Sequence, residues 1–99
     1  MPLLVMKFGG TSVADLPRIR NAAAKVKAEV ARGHDVIVIV SAMAGETNKL
    51  VAHVEGTSAL FDAREYDAVV SSGENVTAGL MALTLQDMDV PARSWQGWQ

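Results

Sequence analysis

Cysteine is absent from the 99-residue sequence, so neither disulfide staples nor thiolate metal sites contribute to fold or chemistry. Aromatic residues make up only 5%, and the core must be built from Ala, Val and Leu rather than from large rings. Positive charge is not in excess either. Nine Lys and Arg against eleven Asp and Glu give a net charge of -2, which excludes a broad attraction to nucleic acid or to an anionic membrane. Any anion must therefore be held locally. No apolar run approaches the roughly 18 residues of a membrane span, and "MPLLVM" lacks the basic flank of a signal peptide. The expected location is the cytoplasm. What is present is an ordinary globular balance, 49% hydrophobic and 20% charged, at a length that supports one core burying roughly 60–70% of the unfolded surface.

Along the chain, Leu3, Val5 and Lys7 alternate with Leu4, Met6 and Phe8, the pattern of a strand covered on both faces. Ile19, Ala22, Ala23, Val26 and Val30 recur at helical spacing, with Asp15 as N-cap, Pro17 in the first turn and Gly33 as stop. This predicts a helix over about 16–32. "DVIVIVSA" is a continuous β-branched run, which predicts a central, parallel strand covered on both sides. Strand, helix and strand then form one crossover unit. "KLVAHV" is helical and breaks near Gly56. "AREYDAVVSSGENVTAGLMALTLQDM" reads as one helix interrupted around "SSGE", with Val76, Leu80, Leu83 and Asp87 in one row, so that its last turn faces solvent. "VPARSW" predicts a third strand, entered through Asp89 in the left-handed position that Gly prefers. His34 and His53 have no metal-ligand spacing and read as surface residues. Trp95 and Trp98 read as packing or interface residues. The expected class is α/β, a largely parallel sheet with helices.

Three polar clusters follow from this layout: Lys7 to Ser12, Ser41 to Asn48, and Ser71 to Asn75. The first two lie at the carboxyl ends of parallel strands, the edge on which such sheets bind ligands. Gly9 and Gly10 let backbone amides approach a phosphate, with Lys7 as a mobile charge beside them; the alternative is a tight turn with a snorkelling lysine. The spacing is neither that of the P-loop nor GxGxxG. Ser41, Thr47 and Asn48 supply hydrogen-bonding groups, or else a capped helix start. Glu74, after Gly73, reads either as a carboxylate favoured by the helix dipole at a first turn or as a receptor for a substrate ammonium group.

"MKFGGTSV", "IVIVSAMAGETNKL" and "VVSSGENVTAGLMA", in that order, resemble the aspartokinases of the amino-acid kinase superfamily. The resemblance runs over essentially all 99 residues. It implies a largely parallel sheet sandwiched by helices and in-line transfer of the γ-phosphoryl of ATP to the β-carboxylate of L-aspartate. The product, 4-phospho-L-aspartate, begins lysine, threonine and methionine biosynthesis. It also implies that Lys7, Phe8, Gly9 and Gly10 form the ATP block, with Lys7 catalytic through neutralising charge on the transferred group. Ser41 falls on a substrate-side turn, Thr47 on the aspartate contact and Glu74 on the acidic residue holding the α-ammonium group. ATP and Mg²⁺ are the implied cofactors, with Mg²⁺ ligands expected in a later part of the family's kinase domain, and a homo-oligomer is implied for the full-length enzyme. Residues 1–99 correspond to the N-terminal portion of that domain, without its C-terminal part or the regulatory ACT domains, so the chain alone is expected to be inactive. The alternatives are a glutamate- or acetylglutamate-type kinase, or a non-catalytic folding or assembly module.

Overall fold

The computed structural model describes residues 2–57 and 62–95. β1 (Leu3–Phe8) passes through a single 3-10 turn, Gly10–Val13, into α1 (Leu16–Ala31), and the chain returns as β2 (Asp35–Val40). α2 (Glu46–Thr57) and α3 (Ala63–Asp87) follow. The two strands pair in parallel, Leu3 opposite Asp35 and Phe8 opposite Val40. This is the α/β crossover unit that the periodicity predicts.

Local chemistry explains α1. Asp15 has extended backbone and its carboxylate accepts the Arg18 amide at 2.9 Å, while Pro17 occupies the first turn where no amide is needed. The helix stops at Gly33, whose φ of 93° only glycine adopts without strain. Ile19, Ala22, Ala23 and Val26 are buried, and the two alanines let the helix lie close to the strands. Across from them stand Phe8, Met81, Leu85 and Val90, with Met6, Val36 and Val38 half-buried beneath. Each large apolar side chain fully withdrawn from water contributes about 1.5–3 kcal/mol. This single cluster therefore holds β1, β2, α1 and the second half of α3 together.

Five expectations are corrected. Among the described residues the sheet is covered on one face only: Leu3, Val5, Ile37 and Ile39 are 64, 55, 49 and 46% exposed, because α1 and α3 both pack on the Phe8 side. α3 runs unbroken for 25 residues through "SSGE". The hydroxyls of Ser71 and Ser72 bond back to the carbonyls of Ala68 and Val69, so neither diverts the backbone. Its packed row is Thr77, Met81 and Leu85, whereas Val76 and Leu83 of the predicted row are exposed.

Nor is there a strand at Val90–Trp95. Asp89 does take the left-handed conformation, with φ 64°, and Val90 turns back to donate to the Leu85 carbonyl at 2.9 Å. Pro91 has no amide to give a ladder, and the side-chain amide of Gln86 occupies the Ala92 carbonyl at 2.9 Å. The segment instead walls a cleft of about 390 Å³ beside β2, with Val36, Val38 and Val40 opposite. Trp95 is 74% exposed; Trp98 lies outside the described residues. His34 is half-buried rather than superficial, its Nδ1 3.1 Å from a Glu29 carboxylate oxygen, whereas His53 is exposed.

Candidate functional site

β1 and β2 end side by side, and the ladder is prolonged by one bond, the Ser41 amide donating to the Phe8 carbonyl at 3.2 Å. The first two polar clusters therefore leave the sheet from the same edge. Lys7 lies opposite Ile39 on the uncovered face and is exposed, so its charge stays in water and no burial has to be compensated. Phe8 points the other way, into the core. Only its backbone is offered to a ligand.

After Phe8 the amides of Gly9, Gly10 and Thr11 have no hydrogen-bond partner among the described residues, and the same holds for Ala42, Met43, Ala44 and Gly45 after β2. Successive unpaired amides in turns form a concave donor surface suited to an anion. The two glycines of the first turn serve different ends. Gly9 has nothing within 4 Å of where a Cβ would stand, which leaves its backbone open to approach. A Cβ on Gly10 would sit 3.0 Å from the Ala42 carbonyl oxygen, so Gly10 allows the two turns to touch.

Gly45, at φ 86°, makes the bend into α2. Glu46 and Thr47 stand in that helix's first turn, Thr47 exposed, Glu46 3.4 Å from the Lys49 ammonium. The residue before the helix, Gly45, has no side chain, and neither Glu46 nor Thr47 bonds a first-turn amide among the described residues, so the expected capped start does not form. Glu74 sits in the middle of α3, not at a first turn, and the dipole reading for it falls away. Its side chain is exposed, and it is its neighbour Gly73 that meets the second turn. A Cβ on Gly73 would lie 3.1 Å from the Ala42 Cβ and 3.2 Å from Leu50 Cδ1, so α3 meets the second turn without an intervening side chain. Thr77, fully buried, donates its hydroxyl to the Gly73 carbonyl at 3.0 Å and holds that turn of the helix in shape.

All three clusters accordingly meet around Ala42, which is 6% exposed. Sequence reasoning passed over Ala42, since a methyl group carries no chemistry.

A sequence model of the family described as "Amino acid kinase family" matches residues 2–97. The chain belongs to the amino acid kinase family. Among relatives of this amino acid kinase chain, an aspartokinase of Rickettsia felis is 51% identical over all of the chain and 25% of its own length. Aspartokinase 2 of Bacillus subtilis is 43% identical over all of the chain and 24% of its own length. The crystal structure of aspartate kinase from Synechocystis superposes with a TM-score of 0.94 at 42% identity, covering 98% of this chain and 17% of that one. The likeness establishes the α/β amino acid kinase fold for this segment. The chain spans about a quarter of the length of the curated relatives it matches.

No group of three or more His, Asp or Glu able to hold a metal occurs among the described residues. The hydrogen-bond donors of this edge include amides, hydroxyls and Lys7, which suit phosphate oxygens, and the same segments carry the carboxylates of Glu46 and Glu74. No described helix is long and apolar enough to cross a membrane.

Proposed function

We propose that this chain is the N-terminal portion of an aspartokinase domain, and that its sheet edge forms the phosphate and aspartate half of the catalytic site. The observation that carries the reading is the meeting of the glycine turn, the Ser41–Thr47 turn and the Glu74 helix around Ala42, in a chain 43–51% identical to aspartokinases. In the parent protein the γ-phosphoryl group of ATP passes in line to the β-carboxylate of L-aspartate. That carboxylate is already ionised at neutral pH and needs no general base, so positioning and charge neutralisation carry the catalysis.

The roles divide by element. The amides of Gly9 and Gly10 receive phosphate oxygens, and Lys7 neutralises charge as it develops on the group in transfer. Phe8 contributes its backbone to that block and anchors it to the core. Ser41 and Thr47 hydrogen-bond the aspartate, and Glu74 pairs with its α-ammonium group. Mg²⁺ would help neutralise phosphate charge in such a transfer, and its protein ligands would come from a part of the family's domain outside residues 1–99. On this reading the chain alone binds and does not turn over, and the full-length protein works in the cytoplasm, where ATP is the donor, as a homo-oligomer.

Titration of the chain with L-aspartate, followed by two-dimensional amide NMR, tests the assignment. Shifts concentrated at Thr47 and Glu74, lost in Glu74→Gln, support it. Equal or stronger shifts with L-glutamate would favour a sibling kinase, and a folded chain whose amides ignore both amino acids would leave the assembly-module reading.

A further inference from the structure

We infer that Ala42 and Gly73 are positioning residues that fix the spacing between the glycine turn and the Glu74 helix. Ala42 touches the two other clusters through two different atoms. Its carbonyl oxygen lies 3.0 Å from the Cβ position of Gly10, and its own Cβ lies 3.1 Å from the Cβ position of Gly73. Both separations are tighter than ordinary van der Waals contact at 3.5–4.0 Å. Ala42 also has no side-chain torsion with which to yield. A methyl group added at position 73 must either bend α3 away or push the Ala42 unit, and with it the carbonyl oxygen, towards Gly10. Leu50, the other neighbour at 3.2 Å, has rotamers to spare and can swing aside. Displacement at Gly73 is thus transmitted to the glycine turn through one alanine.

On the Gly73 side the contact is one of packing alone, since the Ala42 amide has no partner among the described residues, while the Ser41 amide on the Phe8 carbonyl holds the two turns side by side. Closely packed interiors transmit such strain because they lack space in which to absorb it. The helix supplies its own control: Gly79 lies on the same α3 with nothing within 4 Å of its Cβ position. Two glycine-to-alanine changes on one helix should therefore behave differently. The word "positioning" rests on the proposed reading, in which the glycine turn and Glu74 serve one pair of reactants; the mechanical link does not.

The experiment uses the 99-residue chain and its amide spectrum, with Gly73→Ala, Gly79→Ala, Ala42→Gly and the double variant Ala42→Gly/Gly73→Ala. Gly73→Ala is expected to shift the Gly9 and Gly10 amides and to weaken L-aspartate binding about tenfold, equivalent to about 1.4 kcal/mol. The double variant, with the methyl moved from one side of the contact to the other, restores the Gly10 position and most of the affinity. Gly79→Ala leaves both unchanged. Gly10→Ala approaches the same contact from its far side and moves the Gly73 and Glu74 amides, which keeps the test decisive if Gly73→Ala does not fold. Unmoved Gly9 and Gly10 amides in a folded Gly73→Ala chain, or no recovery in the double variant, would overturn the inference. A parent chain that binds no aspartate would count against the proposed function alone, because the exchange of shifts between Gly73 and Gly10 still decides the link.

Discussion

Lys7 and Ile39 stand opposite each other across the parallel ladder, on the face of the sheet that no described helix covers. The pairing puts the one charge of β1 beside an exposed apolar row at the strand ends, where the unpaired amides of Gly9 to Thr11 begin. A lysine so placed contributes little to folding and is available to a ligand.

Lys7→Met is therefore expected to leave stability within about 0.5 kcal/mol of the parent, as for surface changes that break no network, while lowering affinity for MgATP. Thermal unfolding and calorimetric titration on the same sample check both halves. A large loss of stability would make Lys7 structural, and unchanged MgATP affinity would remove it from the phosphate block.

The uncovered face carries Leu3, Val5, Ile37 and Ile39 as neighbours on adjacent strands. Contiguous exposed apolar patches drive association. The double variant Val5→Thr/Ile37→Thr keeps β-branched side chains in both strands, and it is expected to reduce concentration-dependent self-association in sedimentation velocity without loss of secondary structure.

Asp15 caps α1 through the Arg18 amide at 2.9 Å. Asp15→Ala should cost about 1 kcal/mol, read as a lower midpoint in urea with an unchanged slope. Asp15→Ser, which keeps an acceptor, should recover most of it.

Two residues hold left-handed backbone just past helix C-termini, Gly33 with φ 93° and Asp89 with φ 64°. Gly33 has open space at its Cβ position, so Gly33→Ala is destabilised by its backbone alone, by about 1 kcal/mol. Asp89→Gly should move stability in the opposite direction, by up to about 1 kcal/mol. Equilibrium unfolding of the two variants, which differ in sign, checks that backbone conformation and not side-chain contact governs both ends.

The elements defined by local chemistry were legible in the sequence. The alternation of β1, the helical row of α1 between Asp15 and Gly33, and the β-branched run of β2 are each specified within about twenty residues. What failed was decided at longer range. Ser71, Ser72 and Gly73 carry the composition of a break, yet the serines bond along their own helix and Gly73 is small because Ala42 and Leu50 press on it. The packed row of α3 differs from the predicted one because only the position of α1 decides which of two adjoining stripes is buried. Val90–Trp95 has strand-like composition, but Gln86 takes the Ala92 carbonyl and Pro91 has no amide. A β-branched run reads as covered on both faces, yet no described helix packs on the row of Leu3, Val5, Ile37 and Ile39.

For the site, the sequence shows the glycine turn and its lysine at a strand end, whereas the roles proposed for Thr47 and Glu74 come only from family resemblance. Ala42 was not legible at all. Its importance lies in two distances, and no residue type announces a distance.

The most direct test of the account is paramagnetic broadening of the chain's amide spectrum by Mn²⁺–ATP. The predicted result is broadening strongest at Gly9 and Gly10, extending to Ala42–Gly45 and to Gly73 and Glu74, and weakest at Leu3 and Gly33 at the opposite end of the strands. A folded chain that shows no broadening, or broadening centred on any other surface, would contradict the claim that these three segments form one phosphate-binding edge.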